Sequence, residues 1–417
     1  MSSAEREFDI VVYGVTGYSG KLTAQYLARV ASEARIALAG RSRERLLAVR
    51  ETLGPTAQDW PLIVADTSQP AAVQAMAACT RVVVTTVGPY TTHGLPVVAA
   101  CAKAGTDYAD LTGEVMFVRT SIDRYHQQAV DTGARIVFSC GFASIPSDLN
   151  VYQLYRRAQG DGAGELCDTT LVFRSFFQGG GSGGTVASEF ESMRTASSDP
   201  EARRQMDDPY TLTTDRGAEP DLGRQPDFLW RRGGRIAPEL AGFWLGGLAW
   251  APHNTRVVRR SNALQNWSYG RRFRYSETMS LGRSFAAPVA SAAVTGTLAG
   301  AFALGGRHFR RLPQRWLQTV AKPGTGPGET MRERGHYTAQ TFATTTSGAR
   351  YLGTFGQQLD AYSGTGVLLG ECGLALAFDR DRLSDLRGVL TPAAAMGDAL
   401  LTRLPAAGVS MNTARLS

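Results

Sequence analysis

The sequence predicts an α/β protein in which a doubly wound parallel sheet is joined to a second α+β region. Three observations predict it: apolar runs rich in Val and Ile, helix-like stretches between them, and a glycine-punctuated turn behind the first run. The runs do not alternate with polar residues, as expected of parallel strands covered on both faces.

The elements follow in order. Phe8–Tyr13 is the first strand, and Lys21–Val30 is a helix with Leu22, Tyr26 and Leu27 on one side. Arg35–Gly40 and Pro61–Asp66 are the next strands, followed by helices over Arg43–Leu53 and Pro70–Ala78. Val82–Gly88 leads to a helix over Leu95–Ala104, Thr106–Leu111 leads to a helix through Tyr125, and Ala134–Gly141 is the sixth strand. Six such units make a doubly wound sheet. The pattern changes near residue 160. Thr169–Phe177, a glycine loop at Gln178–Gly184 and a helix through Met193 open a second region. Pro200, Pro209, Pro220 and Pro226 mark Ser197–Pro238 as loop or lid. Arg271–Gly282 and His336–Gly356, rich in Thr, Tyr and Phe, read as antiparallel strands. Thr391-Pro392 opens a last helix running to Leu404. The expected division is residues 1–160, 161–360 and 361–417.

Composition narrows the function classes. Five cysteines lie far apart without a C-x-x-C pair, and the five histidines show no H-E-x-x-H, so neither a disulfide framework nor a metal centre is expected. With the acidic N-terminus MSSAEREFDI, unlike a signal peptide, a cytoplasmic protein is expected. Gln225–Gly335 carries 17 Lys or Arg against 5 Asp or Glu, an excess that faces either solvent or an anionic partner. Nucleic acid is not expected, because no binding module interleaves these charges.

The turn YGVTGYSG spaces Gly14, Gly17 and Gly20 three apart, with Thr16 where the G-x-G-x-x-G pattern has its second glycine. It follows a strand and enters a helix, so Gly14, Thr16, Gly17, Tyr18, Ser19 and Gly20 are expected to cradle a dinucleotide pyrophosphate, as in a Rossmann-type fold. The second strand ends in Gly40-Arg41-Ser42-Arg43 and offers no acid for ribose hydroxyls. Arg41 with the Ser42 hydroxyl suits a 2′-phosphate, which selects NADP; Ser42 also suits a helix cap. Asp66 is placed near the adenine. Loops after the strand ends surround the nicotinamide in such sheets: Thr85–Gly94, Asp110–Glu114 and Ser139–Asp148. Val87, Gly88 and Pro89 shape the loop over the ring. Tyr90 and His93 are candidate proton donors, Asp110 and Glu114 candidate capping acids. A Tyr-x-x-x-Lys relay is absent, the lysines being Lys21, Lys103 and Lys322.

The combination of YGVTGYSG, LAGRSRERL, TTVGPYTTHGLPVVAACAKAGTDYADLTGE, CGFASIPSDL, DRGAEPDLG, RRSNALQNWSYGRRFRYSETMS and GVLTPAAAMGDALL resembles the saccharopine dehydrogenase-like family over essentially the whole chain. It is most similar to the actinobacterial trans-acting enoyl reductase branch. The resemblance implies a Rossmann domain, a second domain inserted before the C-terminal helices, and final helices that return to the first domain. It implies an NADP-dependent reductase working beside a polyketide synthase that lacks its own enoyl reductase, in assembly of phthiocerol or phenolphthiocerol lipids. Such chemistry needs an oxyanion donor and a proton, for which the backbone at Gly88 or Gly183-Gly184 and the side chains of Tyr90 and Ser144 are candidates. An acidic acyl carrier domain would answer the arginines from Arg256 to Arg274, and a homodimer is expected by analogy. The chain departs from many relatives at Ala143, where they carry Asp. A saccharopine-type imine or amino-acid reductase is the alternative enzyme, with Arg174 as its carboxylate-binding candidate; a non-catalytic NADPH-binding scaffold is the alternative outside catalysis.

Phe285–Gly306 is uncharged, contains Gly296-x-x-x-Gly300 and is long enough to span a bilayer. Its Ala, Gly, Ser and Thr content and Pro288 favour a buried helix lining an apolar pocket over a span, with association at a membrane surface between the two.

Overall fold

The computed structural model describes residues 6–177, 200–309 and 328–417. Two seven-stranded sheets organise them. In the first, β1 (Phe8–Tyr13), β2 (Ile36–Gly40), β3 (Leu62–Val64), β4 (Thr80–Thr85), β5 (Asp107–Ala109) and β6 (Arg135–Val137) run parallel. The order across the sheet is β13-β6-β5-β4-β1-β2-β3, reversing direction beside β1 as a doubly wound sheet requires. Residues of one strand alternate between two cores: Ile10 and Val12 pack on one face, Val11 and Tyr13 on the other, all buried. That two-sided burial explains the unbroken apolar runs.

Helices α1 (Tyr18–Val30), α2 (Arg43–Glu51), α3 (Pro70–Ala78), α4 (Tyr90–Ala104) and α5 (Val115–Thr132) connect these strands. The fourth begins at Tyr90, not at Leu95, which places Tyr90 and His93 on a helix. A helix absent from the sequence reading, α6 (Ile145–Gly160), then leads to the second sheet.

The second sheet has the order β14 (Ser410–Leu416), β12 (Arg350–Gln357), β11 (His336–Thr345), β7 (Leu166–Phe177), β10 (Arg274–Ser280), β9 (Trp244–Gly246), β8 (Arg231–Arg232). Its centre is β7 (Leu166–Phe177), flanked by β10 (Arg274–Ser280) and β11 (His336–Thr345). A hairpin joins β11 to β12 (Arg350–Gln357), antiparallel as expected. The expectation for Arg271–Gly282 is corrected: β10 pairs parallel with β7 and antiparallel only with β9 (Trp244–Gly246). A long connection through α7 (Pro200–Asp207) and α8 (Ala251–Leu264) supplies the return that parallel pairing needs. At the edge, β8 (Arg231–Arg232) pairs with β9.

After α9 (Ala287–Phe309) and the β11–β12 hairpin, the chain returns to the first sheet. Helix α10 (Ala361–Phe378) lies so close to α1 that a Cβ on Gly370 would stand 2.6 Å from the Tyr26 ring. β13 (Gly388–Leu390) extends the first sheet beside β6, α11 (Pro392–Ala406) follows, and β14 (Ser410–Leu416) closes the edge of the second sheet on β12. The C-terminal stretch therefore contributes one strand to each sheet and staples them together.

Candidate active site

The turn after β1 is shaped by sterics. Gly14 has φ +89, and a Cβ there would meet Val87 Cγ2 at 2.7 Å; a Cβ on Gly20 would stand 2.4 Å from the Gly14 carbonyl oxygen. Only glycine permits this approach of helix to strand. Gly17 is the N-cap of α1 and brings no side chain to it. The first-turn amides, which have no intrahelical acceptor, are thus open to an anion at the positive end of the helix dipole. Thr16 is exposed at the rim, and Tyr18 stacks edge-on against Tyr362 with ring centroids 5.3 Å apart.

At the end of β2, Arg41 is exposed and Ser42 caps α2, its hydroxyl accepting from the Arg45 amide at 3.3 Å. Asp66 stands nearby in a tight turn, its Oδ1 accepting from the Ser68 amide at 2.9 Å and hydroxyl at 2.7 Å. These bonds, followed by the Arg41 charge, hold its carboxyl below the ordinary range. His93 belongs to this same corner: Nδ1 lies 3.4 Å from Thr67 Oγ1, and burial, then Arg41, lowers its pKa. The structure therefore groups His93 with Arg41 and Asp66 beyond the end of β2.

Around the ends of β4, β5 and β6, two other candidates prove to be packing groups. The Tyr90 phenol is buried, donates to the Thr85 carbonyl at 3.3 Å and accepts from the Leu111 amide at 3.4 Å. Burial raises its pKa well above the ordinary value, so it is a poor proton donor. Ser144 is equally buried and donates to Asn254 Oδ1 at 2.8 Å. The acid Glu114 does cap, but on another helix: Oε1 accepts from the Tyr90 amide at 2.8 Å and Oε2 from the Thr91 amide at 2.7 Å. It thereby fixes the Val87-Gly88-Pro89 loop at the start of α4. Asp110 accepts from the amides of Thr112 and Ser139, both at 3.0 Å.

Sequence reasoning missed a buried polar layer between the sheets. His253 Nε2 lies 2.8 Å from Ser139 Oγ, Asn254 Nδ2 donates to Ser147 and Glu277, and Asp148 accepts from Ser261 and the Ala393 amide. Burial pushes Asp110, Asp148 and Glu277 up to about 7 and drives His253 down to about 3. These partners lie up to 245 residues apart, beyond any local pattern.

It also missed an aromatic cluster. Phe142, in the loop after β6, packs on Phe173, Phe176, Trp250 and Tyr337 with centroids 4.5–6.3 Å apart. Phe176 and Trp250 in turn line an open apolar cavity of about 440 Å³, together with Leu248, Met279, Val294 and Leu298. Trp250 Nε1 is buried without an acceptor among the described residues.

Helix α9 contributes Val294 and Leu298 to that wall, which agrees with a pocket-lining helix, yet it is not buried: Val289 is 72% exposed, and Phe285, just ahead of the helix, 97%. Among the described residues, the helix long and apolar enough to cross a membrane is Ala361–Phe378, which is packed inside the fold.

Two further expectations are corrected. Arg256, Arg259 and Arg260 are fully buried, so of the arginines from Arg256 to Arg274 it is Arg271, Arg272 and Arg274 that are exposed to a partner. Arg256 Nη1 donates to Asp227 at 2.7 Å, Arg259 Nη2 to the Tyr275 carbonyl at 3.0 Å and Arg260 Nη2 to the Val389 carbonyl at 2.6 Å. Arg174 does not enter the cleft; its guanidinium lies 3.9 Å over the Phe243 ring, where Arg283 stacks as well, at 4.0 Å. Gly183 and Gly184 lie outside the described residues.

Residues 10–137 match the family model described as the saccharopine dehydrogenase NADP binding domain. Proteins named trans-acting enoyl reductase from Mycobacterium tuberculosis and Mycobacterium leprae are 71% and 67% identical to it, each over the full length of both chains. The chain belongs to the saccharopine dehydrogenase family, in its trans-acting enoyl reductase branch. Apo saccharopine dehydrogenase (L-Glu forming) from Saccharomyces cerevisiae shares the fold at 12% identity, with a TM-score of 0.54 over 98% of this chain and 100% of that one. As in that family, the cofactor is NADP, and the residues present fit it: a Cβ-free cradle at Gly14 and Gly20, an uncapped helix end, and Arg41 where an NAD site would carry an acid.

Proposed function

We propose that this chain is an NADPH-dependent enoyl reductase acting in trans, reducing an enoyl thioester that a separate polyketide synthase presents on an acyl carrier domain. The substrate class we infer is a polyketide-derived lipid chain of the phthiocerol or phenolphthiocerol type. The observation that carries this reading is the apolar cavity joined through Phe142 to the strand ends of the dinucleotide sheet. Among the described residues its wall lacks charged side chains, so it suits an acyl chain and gives an amino acid's carboxylate no partner there. The relatives' name supplies the reaction class and implies the separate synthase.

Bound NADPH supplies the hydride to the β-carbon. The chain's own residues bind and orient: the Gly14–Gly20 turn takes the pyrophosphate, Arg41 the 2′-phosphate, and Phe142, Phe176 and Trp250 wall the acyl chain. Charge then develops on the thioester oxygen, and a donor aimed there lowers the barrier. We assign that role to Trp250 Nε1–H, a donor without an acceptor among the described residues, on a side chain that lines the cavity. With Tyr90 and Ser144 engaged inside the fold, we assign the α-carbon proton to water entering with the substrate.

The test is NADPH oxidation by the purified chain with an enoyl thioester and, separately, NADP reduction with saccharopine. Turnover of the thioester alone supports the reading; turnover of saccharopine alone overturns it. Trp250→Phe should lower kcat about tenfold or more while leaving NADPH affinity unchanged.

A further inference from the structure

Folding uses only part of the arginine excess in the second half of the chain. Arg256, Arg259 and Arg260 are buried, but others converge on a second cavity, of about 480 Å³, on the outer side of the second sheet. Arg224, Arg231, Arg235, Arg274 and Arg350 line it, and among the described residues Asp168 is the sole carboxylate on its wall. Arg350 is paired, donating to Glu239 Oε2 at 2.6 Å. The guanidiniums of Arg224, Arg231, Arg235 and Arg274 have no ion pair or hydrogen bond among the described residues.

This cavity is separate from the acyl site. It borders β7 at Asp168–Thr170, whereas the acyl cavity meets the same strand at Phe176, six residues further on. At the rise of a strand that is about 20 Å.

Four unpaired guanidiniums around one concavity repel each other and contribute nothing to the fold, while low-dielectric walls focus their field. Their forked donors match phosphoryl oxygens. Thr170, Ser276 and Thr344 add hydroxyls, and Leu229, Ile236 and Phe342 give an apolar side that a hydrated inorganic ion does not need. The volume is too small for a protein helix, about 10 Å across, and right for a small organic phosphate.

We propose that this cavity binds a phosphate or diphosphate group carried on a small organic body, clamped by Arg231, Arg235 and Arg274. The chemistry is shared by a free organic phosphate and by the phosphopantetheine arm of a carrier domain.

Titration calorimetry on the full chain, saturated with NADPH to fill the cofactor cradle, tests it. The probes are inorganic pyrophosphate, pantetheine 4′-phosphate and unphosphorylated pantetheine. Saturable binding of a phosphorylated probe at one site is expected, weakened about tenfold or more in Arg231→Ala/Arg274→Ala. That variant should keep its NADPH affinity and its thermal midpoint, since both side chains are exposed. Tighter binding of pantetheine 4′-phosphate than of pyrophosphate identifies the carrier arm as the source; the reverse identifies a free phosphate. Absence of saturable binding at millimolar probe, equal binding by the double variant, or equal binding of unphosphorylated pantetheine overturns the proposal. NADPH affinity, read in the same samples, keeps such a failure distinct from failure of the cofactor site.

Discussion

At the residue scale, the site divides into side chains whose chemistry is free and side chains committed to packing. Arg41 is free: exposed at the end of β2, it stands beside a strand terminus without an acid. Arg41→Ala should weaken NADPH about tenfold or more and leave NADH nearly unchanged, as fluorescence titration of both coenzymes would show. Equal loss for both would place the 2′-phosphate elsewhere. Tyr90 is committed, its hydroxyl bonded between the Thr85 carbonyl and the Leu111 amide. Tyr90→Phe should cost about 1 kcal/mol of stability in a urea melt, with kcat within about twofold of the parent. A fall of a hundredfold would return the phenol to catalysis. The glycines of the first turn were legible because their reason is local and steric. Tyr90, His93 and Ser144 were misplaced because burial and long-range partners, such as Asn254 for Ser144, leave no trace in neighbouring residues.

At the element scale, legibility followed burial pattern. The parallel strands were visible as unbroken apolar runs, and the β11–β12 hairpin as alternation. Helix α6 was missed because it is buried with Asp148, Asn150 and Gln153 inside, so it shows no apolar stripe. Helix α10 was implied by the resemblance alone and not by its own residues, because it is buried on every side and shows no polar face. The pairing direction of β10 depends on a return path that strand composition does not encode. Helix α9 was recognised as apolar, but its half-exposed seat over the cavity was not. Its Leu298 reaches the acyl cavity, so Leu298→Trp should shorten the space available. A series of enoyl thioesters of increasing chain length should then show KM rising for the long members only. A uniform change across the series would contradict a chain-binding role for this wall.

At the scale of the whole molecule, the two sheets are joined by buried polar groups and by the crossing C-terminal strands. Asp148 is central, accepting from Ser261 of α8 and the Ala393 amide of α11. Burial raises its carboxyl from 3.8 to about 7. The native state therefore keeps this proton over a range where the unfolded chain has lost it, so the group's contribution falls as pH rises from about 4 to about 7. Asp148→Asn removes that dependence. Its unfolding free energy relative to the parent should improve by about 1 kcal/mol per pH unit through that window and level off above it, as urea melts across pH would show. A difference independent of pH would mean that Asp148 ionises as an ordinary carboxyl.

The account's central claim is that the dinucleotide cradle and the apolar cavity serve one reaction, joined at Phe142. Transfer of label from NADPH deuterated at the nicotinamide C4 position tests it most directly. With an enoyl thioester, the account predicts a saturated product carrying deuterium at the β-carbon, formed with loss of NADPH in equal amount. Deuterium at the α-carbon, or NADPH consumed without a saturated product, would contradict it.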